Sequence, residues 1–155
     1  MPNWCEGTLK IRGTFEQLRN FVLNGLEPVT DRGQKRQMEI TDDEPQYLFI
    51  KNGCESLYIK GSRRHFCEPK YIEIDADNEG KVIVLLTPMK AAWEISSQNL
   101  LNASKEFNVD MKIQGFEKGM EFSQLIEIVG GEIIQDKKIE YENWDWDCPC
   151  PALGG

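Results

Sequence analysis

The chain predicts an α+β protein: an antiparallel sheet with two helices on one face, extended by extra strands. Three observations carry this. The opening residues alternate, with Cys5, Gly7, Leu9 and Ile11 on one side and Glu6, Thr8, Lys10 and Arg12 on the other, the period of a half-buried strand. Two segments, 14–24 and 91–107, carry apolar residues at helical spacing. The rest is short apolar stretches punctuated by turn dipeptides, with too few helices to provide the crossovers that parallel strands need.

The elements follow in order. Residues 14–24 predict a helix because Thr14 can cap it, Gln17 stands at the capping-box distance and Gly25 can end it. Phe15, Leu18, Phe21 and Val22 form its core stripe. Residues 27–45 lack periodicity beyond a short strand near Met38 to Ile40. Residues 47–51 and 56–60 predict a hairpin across Asn52-Gly53, a favoured two-residue turn. Residues 71–74 and 81–86 predict a second pair, turning through Asp77-Asn78-Glu79-Gly80, with Pro88 ending its second strand. A helix is expected over 91–107, from before Trp93 to Phe107. Strands are expected at 109–113, 122–129 and 132–141, the last two joined by Gly130-Gly131. The expected core is Leu9, Ile11, Phe21, Ile83, Leu85, Trp93, Leu100 and Ile128.

At 155 residues, 40% hydrophobic and 28% charged, the chain is long enough for one domain with a sizeable core. We assign residues 1–141 to that domain, with 27–69 as an inserted loop and hairpin region, and 142–155 to a tail of Trp, Asp and Cys-Pro. No apolar run approaches the roughly 20 residues of a membrane span. Trp4, Cys5 and Glu6 stand where a signal peptide would have its apolar core, so a cytoplasmic location is expected. A net charge of −8 argues against sequence-independent nucleic-acid binding, which relies on Lys and Arg neutralising phosphates. Two basic clusters depart from that balance: Arg32, Lys35 and Arg36 in one expected loop, and Lys60, Arg63, Arg64 and His65 in another.

The residues that could carry chemistry are few. Cys5 shares a face with Leu9 and Ile11, which reads as a buried thiol, and nothing brings it to His65, the one histidine. His65 and Cys67, with Cys148 and Cys150, could in principle supply an imidazole and three thiolates to zinc. Both pairs have a one-residue gap, whereas structural zinc sites space their thiolates by two to four residues. Asp75-Ala-Asp77-Asn78-Glu79-Gly80 lacks the full ligand set of a calcium loop. Tyr47, Phe49 and Tyr58 on sheet strands come without the basic-aromatic motif of RNA-binding sheets, so packing explains them better. Trp144 and Trp146 are the candidate anchors for a partner, unless the tail packs on its own domain or on a second copy.

Met1-Pro-Asn-Trp-Cys5, Gly7 and Leu9-Lys-Ile-Arg-Gly13 resemble the opening of the YubB-like ferredoxin-domain proteins of plasmids and phages. A second stretch is similar to that family's C-terminal unit: Trp93, a helix to Phe107, then Phe116-Glu-Lys-Gly-Met-Glu-Phe122 and a hairpin at Gly130-Gly131. Ser123 departs from the small glycine expected after that aromatic, and residues 27–69 match nothing in the family. The resemblance implies a ferredoxin-like fold and an accessory protein of a bacterium or mobile element; it carries over no catalytic residue.

The expected function is therefore binding of a macromolecule, a protein by preference, with Trp144, Trp146, Arg63 and Arg64 as candidate contacts, no cofactor and no assigned catalysis. A second copy of the chain is another candidate partner. The alternatives are a metal- or thiol-dependent site using His65, Cys67, Cys148 and Cys150, and nucleic-acid binding through the basic loops.

Overall fold

A computed structural model describes residues 2–29, 38–54, 56–76 and 80–155. The basic cluster Arg32, Lys35 and Arg36, and the Asp77-Asn78-Glu79 part of the acidic turn, lie outside the described residues. The chain runs through β1 (Trp4–Gly13), α1 (Phe15–Asn24), β2 (Leu26–Pro28), β3 (Glu39–Thr41), β4 (Tyr47–Lys51), β5 (Leu57–Ile59) and β6 (Ser62–Cys67). It continues through β7 (Tyr71–Asp75), β8 (Val82–Ala92), α2 (Ser97–Phe107), β9 (Asp110–Glu117), β10 (Phe122–Val129), β11 (Glu132–Glu140) and α3 (Trp144–Asp147).

The expected ferredoxin-like α+β sandwich, two helices on one sheet, is not what forms. Among the described residues the chain is mostly antiparallel strand, in an eight-stranded sheet ordered β11-β10-β9-β1-β8-β6-β5-β2 and a separate sheet ordered β3-β4-β7. Helix among the described residues is confined to α1, α2 and the four-residue α3. The reason lies largely in residues 27–69: expected as an inserted loop and hairpin, they supply most of β2 and all of β3 to β6, and β7 follows directly to complete the small sheet. β5 and β6 extend the large sheet beyond β8, and β3, β4 and β7 build the small one.

Local signals are realised where they are self-contained. Thr14 caps α1, its hydroxyl accepting from the Gln17 backbone N–H while the Gln17 side chain accepts from the Thr14 N–H. Gly130 and Gly131 turn β10 into β11 with φ of +60° and +75°, a conformation that favours glycine at both positions. β1 sits between β8 and β9 and sends Cys5, Leu9 and Ile11 into the core with α1, α2 and the inner residues Leu48, Ile50, Ile72 and Ile74 of the small sheet.

Longer-range expectations change. Asn52-Gly53 does not turn a hairpin: β4 pairs with β3 and β7, whereas β5 pairs with β2 and β6. Asn52 instead anchors a crossover between sheets, its amide donating to the Pro69 carbonyl and its side-chain oxygen accepting from the Cys54 N–H. β7 pairs with β4 rather than β8. β8 runs on through Pro88 to Ala92, so α2 starts at Ser97 behind the Ser96 cap, and Trp93 sits half-exposed at the bend with φ +70°. Leu9, Ile11, Phe21, Leu100 and Ile128 are buried as expected, but Ile83 (57% exposed), Leu85 (53% exposed) and Trp93 are exposed rather than part of the core.

Candidate functional site

The large sheet has a face that the helices do not cover. On β1 it carries Glu6, Thr8, Lys10 and Arg12, the polar set of the opening alternation. Cross-strand register extends it: Ile83 opposes Arg12 and Leu85 opposes Lys10 on β8, while Asp110 opposes Arg12 and Lys112 opposes Lys10 on β9. Glu127 of β10 continues the row beside Lys112. Of these, Lys10, Arg12, Ile83, Asp110, Lys112 and Glu127 line a shallow open depression together with Val129, and Leu85 stands beside it next to Lys10.

Its charges are mostly paired. Asp110 receives Arg12 at 2.8 Å, Lys81 at 3.2 Å and the Gly130 N–H at 3.0 Å. Partial burial pushes the Asp110 carboxyl up, and those donors outweigh it, holding the group below its ordinary value of 3.8. Lys112 meets Glu127 at 3.0 Å. Lys10 makes no ion pair among the described residues.

A second cross-strand row crosses the same face from β5 to β10: Tyr58, Phe66, Lys90, Glu6, Phe116 and Ser123. At one end of this row Trp4 meets Phe66 edge-on at 5.1 Å, and Phe66 meets Tyr58 at 6.0 Å. At the other end the C-terminal segment covers Phe116. Trp144 and Cys148 are buried against it, joined by Tyr141, Cys150 and Leu153 in a cluster separate from the main core. The Tyr141 hydroxyl shares a 2.8 Å hydrogen bond with Ser123, the Trp144 indole N–H donates to the Pro151 carbonyl, and Gly155 pairs with the Trp4 backbone. Trp144–Asp147 form a short helix, and residues two apart on a helix point to different sides. Trp144 is therefore sealed in, and Trp146 stands 85% exposed.

The candidate metal set is not brought together. Cys67 lies in the main core and Cys148 in the separate cluster over Phe116. Among the described residues no group of three or more His, Cys, Asp and Glu side chains could hold a metal ion. His65 is no loop residue but a fully buried member of β6. Its Nε2 accepts from the Ser96 N–H at 2.9 Å, which leaves the Nδ1 proton to be donated to the Ser62 hydroxyl. The Ser62 oxygen also receives the Asn99 amide at 3.0 Å. A base for Ser62 would need to accept its proton; this imidazole gives one instead, so the pair ties β6 to the start of α2 and activates nothing. Burial also pushes the Cys5 and Cys67 thiols up to about 12, far from a reactive thiolate. Of the two arginines beside it, Arg63 is exposed and Arg64 donates to the Ala92 carbonyl at 2.9 Å.

Burial, reinforced by Arg64, lowers the His65 pKa from 6.5 to about 4. The native state therefore holds a neutral imidazole while the unfolded chain takes up a proton. Stability is complete above about pH 6.5 and falls as pH drops toward 4, by on the order of 3 kcal/mol. Loss below that window belongs to depressed carboxylates such as Asp110. Urea unfolding at stepped pH, with an NMR titration of the single histidine, checks this. A His65 midpoint near 6.5 in the folded protein contradicts it.

No protein-family model, curated protein or solved structure matches the chain. No helix among the described residues is long and apolar enough to cross a membrane. Sequence reasoning missed Ile83, Leu85, Lys10 and Lys112 as a surface. Val82 to Leu86 is apolar at every position, so its alternation has no readable phase. The only available signal was the polar side of the first strand, which marks the face but not its neighbours.

Proposed function

We propose that this chain is a non-enzymatic accessory protein that binds another protein on the open face of its large sheet. The observation that supports the reading is the outward placement of Ile83 and Leu85, each more than half exposed, side by side with Arg12 and Lys10 at the depression that Ile83 lines. Branched apolar side chains exposed on a sheet face beside charged residues are the pattern of a contact surface rather than of idle solvent exposure. The C-terminal segment covers the Phe116 end of that face and leaves the Ile83 end clear. The likeness of the first thirteen residues to the plasmid and phage family supports a bacterial or mobile-element origin and work in the cytoplasm.

Leu85→Glu tests it. The side chain is half-exposed, so stability should change by no more than about 0.5 kcal/mol. A charge placed in the centre of a contact should weaken binding of the captured and purified partner about 30-fold or more. Trp146→Ala should leave that affinity unchanged. The reverse pattern, binding lost with Trp146 and kept with Leu85→Glu, would move the contact to the C-terminal segment.

A further inference from the structure

Resting on the protein-binding reading above, we infer that the partner segment which occupies this face is acidic, carrying carboxylates beside apolar side chains. The chain as a whole bears −8, yet among the described residues the depression is lined by Lys10, Arg12 and Lys112 against Asp110 and Glu127, and Lys81 reaches Asp110 from beside it, a local excess of two positive charges. The two carboxylates are already occupied: Asp110 by Arg12, Lys81 and the Gly130 N–H, Glu127 by Lys112. They are therefore spent as partners for an incoming cation. Lys10 stands at the centre of the row, between Leu85 and Lys112, with no carboxylate opposing it among the described residues. An incoming carboxylate would find Lys10 free, and its neighbouring apolar side chains would cover Ile83 and Leu85. The chain's net negative charge repels such a segment at long range, so local complementarity would set register as well as rate of encounter.

The chemistry also separates this occupant from a nucleic acid. Single strands are held by aromatic side chains on which bases stack, together with a basic groove. The aromatic residues of this face, Trp4, Phe66 and Tyr58, pack edge-on against one another on the β5–β6 side, and the depression itself is lined by Ile83, Met111, Ile128 and Val129. Ile83 and Val129 are the aliphatic side chains of that lining that are not buried in the core, and they offer a base no ring to stack on.

The test is selection of random dodecapeptides displayed on phage against the whole chain. Synthetic peptides from the selection are then titrated against wild type, Lys10→Glu, Leu85→Glu and, as a like-for-like charge change on α2, Lys105→Glu. The expected result is enrichment of Asp and Glu together with Leu, Ile, Val or Phe. Binding should weaken about tenfold or more with Lys10→Glu and with Leu85→Glu, weaken further as salt rises, and stay unchanged with Lys105→Glu. Enrichment of Lys and Arg, or of uncharged peptides, still lost in Leu85→Glu, overturns the acidic partner and leaves the contact face standing. Failure to select any peptide, or selection of peptides indifferent to both variants, overturns both. An oligothymidylate that binds wild type and is lost in Lys10→Glu, with no acidic peptide selected, assigns the face to nucleic acid and overturns the inference.

Discussion

Gly7→Ala should destabilise the fold by about 3 kcal/mol or more, enough to threaten folding of a domain whose whole margin is of order 5–15 kcal/mol. Gly7 lies in β1, the strand between β8 and β9, directly opposite Gly115 and at the register shift against β8. A Cβ at this position would stand 2.2 Å from the Gln114 carbonyl oxygen and 3.2 Å from the Gly115 Cα. Both are backbone atoms of the neighbouring strand, so no rotamer change relieves the clash; β1 and β9 would have to part where their ladder hydrogen bonds hold the sheet together. Gly115→Ala meets softer neighbours, the ends of Ile95 at 2.5 Å and Cys5 at 2.7 Å, and should cost about 1–3 kcal/mol. Gly80→Ala, with nothing within 4 Å, should be neutral or slightly stabilising. Urea midpoints for the three variants check the order. An unaffected Gly7→Ala contradicts the close pairing of β1 and β9.

Trp144→Ala should cost about 3–5 kcal/mol of the binding of the C-terminal segment to the sheet, the range for deleting a buried indole. Trp144 is 3% exposed, meets Tyr141 edge-on at 5.6 Å and donates to the Pro151 carbonyl at 2.9 Å, so truncation removes packing and a hydrogen bond together. The cluster it closes is separate from the main core, and the loss should therefore be local before it is global. Hydrogen exchange should quicken over residues 141–155 and proteolysis after Tyr141 should rise, while β1 and β8 keep their protection. Trp146→Ala, two residues away and exposed, should fall within about 0.5 kcal/mol of wild type. Equal effects of the two substitutions would mean that the segment is not seated by Trp144.

What was legible in the sequence is what depends on near neighbours. The Thr14–Gln17 box, the alternation of the first strand and the Gly130-Gly131 turn are each set within a few residues, and each forms. What was not legible depends on partners far along the chain. Asn52-Gly53 has the chemistry of a hairpin turn, but the strands it joins bury their apolar sides in different sheets, so tertiary pairing overrides the local preference. Val82 to Leu86 is apolar in both phases, and only the pairing of β8 with β1 decides that Val84 and Leu86 go in while Ile83 and Leu85 go out. His65 looked like a loop residue among arginines. Its burial follows from the placement of Ser96 and Asn99 on the far side of α2's start, which no local pattern encodes. The site has the same history: the polar side of the first strand announced an outward face, and the apolar residues beside it came from the phase of another strand.

The claim that the Ile83–Leu85 end of the open face is where a protein partner sits is tested most directly by placing a photo-crosslinking amino acid at position 85, with position 98 on α2 as the control, and irradiating the cells that make the protein. The expected result is a discrete adduct from position 85 that disappears when Lys10→Glu is added, and none from position 98. No adduct at 85, or the same adduct from both positions, contradicts it.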